Sequence, residues 1–301
     1  MLRPTHLAQI NVARLAAPID SPRLAPFVAA LDEVNALADR SPGFIWRLVG
    51  EGNDATSLRP FPDPDVIVNM SVWTSQDALS AFVYRSDHAP FLRRRREWFA
   101  SLEGGAAVGL WPVPVDHRPT LGEARARLDH LWAFGPTPYC HGFRGDQREL
   151  VIERTDLGSP LAQTLIGELN ADIAARYEVG ANNFFHLDRD EVKPSNGGFF
   201  VAWLDGEPAG CGAARTLPDG SVELKRMYTR GSVRGNGVGA AMVSHLIGVT
   251  RDLGISRIVL ETGPAQPEAI HVYERAGFTP ISLFGQYVNS PTSLCYALDL
   301  P

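Results

Sequence analysis

Cysteine is scarce in this chain: only Cys140, Cys211 and Cys295 occur among 301 residues, at scattered positions. Such a set gives neither a disulfide framework nor a CxxC metal site. HExxH and paired-carboxylate patterns are also missing, so no metal is expected. No run approaches the roughly 18 apolar residues of a membrane span, and the opening MLRPTH lacks a signal-peptide core. Excess positive charge is absent too, with 28 Lys and Arg against 34 Asp and Glu, a net charge of −6. No broad electrostatic footprint for nucleic acid is left, and the one basic run, residues 93–96, reads as a solvated helix face. The expectation is a cytoplasmic protein without metal, nucleic-acid or membrane partners.

What is present is a folded composition, 45% hydrophobic and 21% charged, with length enough for two domains. In the first half, residues 6–15, 44–49, 66–73 and 106–113 read as strands. Helices are expected around Leu24, Phe27, Val28, Leu31, Val34 and Leu37, from Ser75 or Asp77 through Val83, and over residues 90–101. The order β-α-β-β-α-β predicts an α+β sandwich of ferredoxin-like type. A helix over residues 120–134 follows, and Gly135-Pro-Thr-Pro reads as its stop. The expected division is therefore a domain over 1–135, an open linker over 136–147 and a second domain over 148–301.

The second half starts with a strand at 149–155 and a helix at 159–177, capped by Ser159 with Pro160 at its first position. A polar stretch, residues 178–196, precedes a hairpin about Asp205-Gly206. Further strands are expected at 222–228, 257–261 and 293–300, with a helix over 267–276 that ends at Gly277.

The most informative segment is residues 222–246, VELKRMYTRGSVRGNGVGAAMVSHL. An alternating strand leads into a glycine turn, and Val238, Met242, Leu246, Val249 and Leu253 then mark one helical face. Glycines permit close backbone approach, and a helix N-terminus leaves its first amides unpaired with partial positive charge. A phosphate or pyrophosphate is the natural ligand. Gly235, Gly237 and Ala240 formally fit the dinucleotide pattern GxGxxG/A, with Glu261 near the place of a ribose-binding acid. A Rossmann strand, however, should be nearly all apolar and run straight into the first glycine. Here Glu223, Lys225 and Arg226 interrupt it and residues 229–233 intervene.

The blocks ELKRMY, RGNGVG, LETG and PEAIHVYERAGF, in that order and spacing, resemble the GNAT acetyltransferase superfamily over roughly residues 149–300. Its acyl-CoA signature maps onto Arg234, Gly237 and Gly239. The resemblance implies a mixed-sheet domain that takes acetyl-CoA as cosubstrate and a small-molecule primary amine as acceptor. It places the pantetheine along Met227, Tyr228 and Thr229, beside a strand splay that bares backbone N–H groups near Met227. The pyrophosphate falls to Arg234, Gly235, Asn236, Gly237, Val238, Gly239 and Ala240. Tyr273 matches the tyrosine that protonates the leaving sulfur, with core packing as its alternative. Glu223 stands where several members carry a base, or is a strand glutamate paired with Lys225. His271 lies on another helix face and is read as structural. Residues 178–196 correspond to part of the acceptor site.

In the first half, HLAQINVAR, SPGFIWRL, VIVNMSVW and YRSDHAPFLRRRREWF resemble an uncharacterised family of the dimeric α/β-barrel group, which includes antibiotic-biosynthesis monooxygenases. That resemblance implies a homodimer made by pairing sheets. His6, Asn11, Trp73 and His88 could line a cofactor-free oxygenase pocket, although a core Trp73 and a locally bonded His88 are the plainer reading. Three functions follow: an acetyltransferase, an acyl-CoA sensor regulating the first half, and a bifunctional fusion with an oxygenase-like domain.

Overall fold

The computed structural model describes residues 4–102, 105–143, 148–177 and 187–301. Two sheets are present. The first comprises β1 (Thr5–Leu15), β2 (Phe44–Arg47), β3 (Val66–Trp73), β4 (Phe99–Ala100) and β5 (Val108–Pro114). All its pairings are antiparallel, with β1 between β3 on one side and β4 and β5 on the other. Helices α1 (Ala25–Asp39), α2 (Gln76–Arg85) and α3 (Ala89–Trp98) belong to the same half. Ser75 caps α2 by accepting from the Ala78 amide, as its sequence position implied.

Two local expectations are modified, the first of them by a long-range pairing. The helix expected over 90–101 stops at Trp98, because Phe99 and Ala100 pair with Leu15 and Arg14. Of the expected apolar face, Leu24 is buried at the N-cap and Phe27, Leu31, Val34 and Leu37 are half-buried, but Val28 is exposed, and within α1 the buried residues are Asn35 and Ala38.

One face of the first sheet buries Leu110, Trp73 and Ile67 against Leu24, Leu79 and Trp98. The other face carries Ala8, Ile10, Val12, Val68, Met70 and Trp111, all buried. It is covered by Ala124 and Leu128 of helix α4 (Leu121–Phe134), with Leu58 and Phe61 packed alongside. A sheet-paired homodimer would need that second face open. Here, among the described residues, Ala124 and Leu128 of α4 occupy it.

The postulated pocket does not assemble either. Strand alternation puts His6 and Asn11 on opposite faces, and Asn11 is exposed. Trp73 is fully buried and donates to Ser71 Oγ at 2.9 Å. His88 stacks on Phe82 and bonds the Val83 carbonyl.

The second sheet has the order β11-β12-β10-β9-β8-β7-β6. Its members are β6 (Leu150–Arg154), β7 (Gly197–Leu204), β8 (Glu207–Thr216), β9 (Val222–Thr229), β10 (Arg257–Thr262), β11 (Thr279–Ile281) and β12 (Leu294–Asp299). Asp205 and Gly206 both take positive φ, the tight hairpin turn their sequence demands. Helix α5 (Pro160–Arg176), capped by Ser159, packs on one face. Helices α6 (Val238–Asp252) and α7 (Pro267–Arg275) pack on the other.

The segment expected as an open linker is packed. Tyr139 and Cys140 are 0% exposed and join the core of the second half. His141 pairs with Leu110 of the first half in an isolated bridge. Residues 144–147 lie outside the described residues, as do 178–186 of the expected acceptor loop. The joint itself is α4 against α6. Gly122 and Gly248 approach so closely that a Cβ on Gly248 would lie 3.1 Å from the Gly122 carbonyl oxygen and from Ala126 Cβ. Thr120 donates to Asp252, and Arg251 pairs with Asp129 at 2.8 Å. His130 bonds Ser244 and Thr137, and burial holds its pKa down at about 3, so it is neutral.

The two halves should therefore unfold together. Tyr139 packs under the Arg127 guanidinium, 3.6 Å from ring centroid to Cζ, and Arg127 donates to the Tyr139 carbonyl. Tyr139→Ala should cost about 3–5 kcal/mol, as for other large core aromatics. It should lower one common melting transition. Two separated transitions in calorimetry would contradict this coupling.

Candidate active site

The site starts with an interrupted pairing. Parallel strands β9 and β10 pair at Val222–Ile258, Glu223–Val259 and Leu224–Leu260, and then diverge. On its other side β9 remains paired with β8 as far as Thr229. The divergence coincides with a bulge: the β8–β9 register shifts between Cys211 and Ala213, and Arg226 has a φ of 55°. A bulge adds a residue on one strand and bends it away from its neighbour. Gly212 sits opposite because a Cβ there would come within 2.8 Å of Met227 Sδ. Residues 225–229 thereby lose the strand partner on the β10 side.

A cleft opens at this splay, lined among others by Ile173, Met227, Glu261, Thr262, Tyr273 and Ser293. Tyr273 reaches it from α7 and is 5% exposed. Burial, and secondarily the Glu261 charge, push its phenol pKa up, so the proton is firmly held. His271 is exposed on the other side of the same helix. Tyr228 and Thr229 continue β9 away from the cleft toward the glycine turn.

Beyond that strand lies the cradle. Gly235 and Gly237 have φ of 84° and 77°. Gly237 is the N-cap of α6, and no side chain caps this helix, so its first amides are available to an anion. A Cβ on Gly239 would lie 3.5 Å from Thr229 Oγ1, in the space between strand and helix. Val238 and Ala240 turn inward and are buried. Arg234 bonds the Thr229 carbonyl and pairs with Asp172 of α5 at 3.0 Å. Asn236 accepts from Arg148 at 2.8 Å. Bare helix amides, two left-handed glycines and a neighbouring guanidinium suit a pyrophosphate.

Glu223 is placed differently from the sequence expectation of a base. It is 1% exposed and is not among the residues lining the cleft. Arg215 binds one carboxylate oxygen at 2.7 Å, while Tyr287 donates to the other and Lys225 lies 3.5 Å from it. Arg215 also holds Glu191. The pairing with Lys225 is thus present, inside a larger buried ion network.

Sequence reasoning missed Tyr287, Ser293 and the cleft position of Glu261. Tyr287 and Ser293 lie in an aperiodic stretch before β12 that carries no local signal. The end of β10 did carry one, since ligands favour the carboxyl ends of parallel strands.

Comparison with known proteins gives two family matches. Residues 168–278 match the acetyltransferase (GNAT) family, and residues 6–153 match a domain of unknown function, DUF3291. The latter spans α4 and the packed segment after it, so it does not end at residue 135. The chain is 32% identical over 131 residues to an IAA acetyltransferase of Azospirillum brasilense, covering 43% of this chain and 84% of that protein. It is 30% identical over 152 residues to the uncharacterized N-acetyltransferase YedL of Escherichia coli, covering 50% of this chain and 94% of that one. Among solved structures, a putative acyl-CoA N-acyltransferase from Klebsiella pneumoniae aligns with a TM-score of 0.44 at 25% identity, over 50% of this chain and 98% of that one.

Proposed function

The chain belongs to the GNAT acetyltransferase family, and from that premise we propose that its C-terminal half transfers an acetyl group from acetyl-CoA to a primary amine of a small molecule. The observation that carries the reading is the continuity of splay, bulged strand and uncapped helix start. A thioester placed at the splay can extend as pantetheine along Met227, Tyr228 and Thr229. Its pyrophosphate then rests on residues 235–240 beside Arg234.

Acetyl-CoA supplies an activated acyl carbon and a thiolate leaving group. The protein binds, orients and moves protons. Backbone N–H groups on the unpaired edge near Met227 stabilise negative charge on the carbonyl oxygen. Tyr273 keeps its proton until the sulfur becomes basic and then donates it. The Arg234–Asp172 pair ties the cradle to α5, which also walls the cleft through Ile173. The antiparallel first half fits a ferredoxin-like sandwich whose remaining face is given to α4.

The test is a panel of primary amines incubated with acetyl-CoA and the full chain, following thiol release. At least one amine should accelerate release over the amine-free rate. Tight acetyl-CoA binding with no transfer to any amine would favour the sensor instead.

A further inference from the structure

We propose that Glu261, and not Glu223, is the base that takes the proton from the acceptor amine; this rests on the acetyltransferase reading above. Glu261 is the first residue of β10 beyond its last pair with β9, Leu260 with Leu224, so it stands on the lip of the splay. Among the described residues it is the one carboxylate lining the cleft. Met227 and Tyr273 line the same cleft, placing acyl site, acid and carboxylate around one space.

Its bonding differs from that of Glu223. Ser293 donates to one Glu261 oxygen at 2.5 Å, which fixes the carboxylate, and among the described residues the second oxygen stays open to a substrate N–H. Glu223 has donors on both oxygens and no access to the cleft. An amine cannot reach it without dismantling the Arg215 and Tyr287 contacts.

The surroundings tune Glu261 as a base. Burial is the largest influence and raises its pKa; the Ser293 bond and the Lys225 charge oppose this, and Glu223 adds to it. Tyr273 of α7, Tyr287 of the preceding loop and Cys295 of β12 also face it, and all three are held protonated by burial. A carboxylate whose pKa is raised retains a proton better than an ordinary one, which favours abstraction.

In the step itself, the acceptor ammonium gives one proton to Glu261. The freed nitrogen lone pair forms the C–N bond to the thioester carbonyl carbon. The C–S bond breaks and its electron pair leaves with sulfur. The second nitrogen proton is lost as the amide forms, sulfur takes one from Tyr273, and solvent exchange resets both side chains. Amine and thioester become amide and thiol, with one proton released to solvent for each ammonium consumed.

The experiment compares two nucleophiles in the full-length protein: the best alkylamine of the panel, protonated at neutral pH, and methoxyamine, which is largely neutral there. Glu261→Gln should slow single-turnover transfer to the alkylamine about 10²–10⁴-fold, the usual general-base contribution. Transfer to methoxyamine should fall less than about tenfold, because no proton need be removed before attack. The acidic limb set by Glu261 in the alkylamine kcat/KM profile should give way in Glu261→Gln to a rise that follows the amine's own ionisation, and should persist in Glu261→Asp. Acetyl-CoA affinity by titration calorimetry should be unchanged in both variants. Equal losses with the two nucleophiles, or a normal alkylamine rate in a folded Glu261→Gln protein, would overturn the assignment. A wild-type protein that binds no acetyl-CoA would instead bring down the acetyltransferase reading, and this proposal with it.

Discussion

Gly237→Val is expected to weaken acetyl-CoA binding by roughly 10- to 100-fold while the protein stays folded. Hydrogen bonds to a charged group are each worth about 1.5–3 kcal/mol, and about 1.4 kcal/mol is tenfold in affinity. Losing one amide contact at the cradle is therefore enough. Two effects combine at this position. Its φ of 77° is left-handed, which valine adopts only with strain. Its side chain would also crowd the helix start, with Cβ already 3.4 Å from Thr137 Cγ2. Gly239→Val separates the effects, because Gly239 lies inside α6 without a positive φ. It should obstruct close approach without backbone strain. Calorimetric titration with acetyl-CoA, beside a melting curve, measures both. Unchanged affinity in both folded variants would remove the cradle from the binding site.

Tyr273→Phe is expected to reduce the transfer rate by about 10²–10⁴-fold and leave acetyl-CoA affinity nearly intact. The phenol acts only as the C–S bond breaks, so its loss affects the transition state and spares ground-state binding. Phenylalanine keeps the ring volume and the edge-on contact with Phe278, whose centroid lies 6.0 Å away, so the fold should tolerate the change. Single-turnover transfer at saturating amine gives the first quantity, and titration the second. Full activity would reduce Tyr273 to packing. Lost affinity would give it a binding role instead. A sensor that never breaks the thioester would show no dependence on this hydroxyl.

Much of the fold was legible because its causes are local. Eight residues of β3 alternate or run apolar between turn residues, and Val66–Trp73 forms as expected. The turn at Asp205-Gly206 dictates its hairpin, and Ser159-Pro160 sets the start of α5. The glycines of the cradle were readable for the same reason, since a left-handed backbone leaves few alternatives. Strand β4 and the early end of α3 were not, because a partner some 85 residues upstream (Arg14–Leu15 against Phe99–Ala100) outweighs local helical spacing.

The sequence by itself determined the glycine turn, most of the strands and helices in their order, and the candidate acid Tyr273. Each rests on backbone geometry or on short-range spacing. The tertiary structure alone decided which carboxylate faces the cleft. Glu223 and Glu261 stand on neighbouring parallel strands, and only the packing of Arg215 and Tyr287 closes the first while the splay opens the second. It also decided that the two halves are joined through α4. The large apolar side of α6 was visible as periodicity, but its opposite side buries Ser244 and Gly248, residues that carry no hydrophobic signal. Small size is what lets two helices approach, and that property becomes evident only when the partner helix is in place.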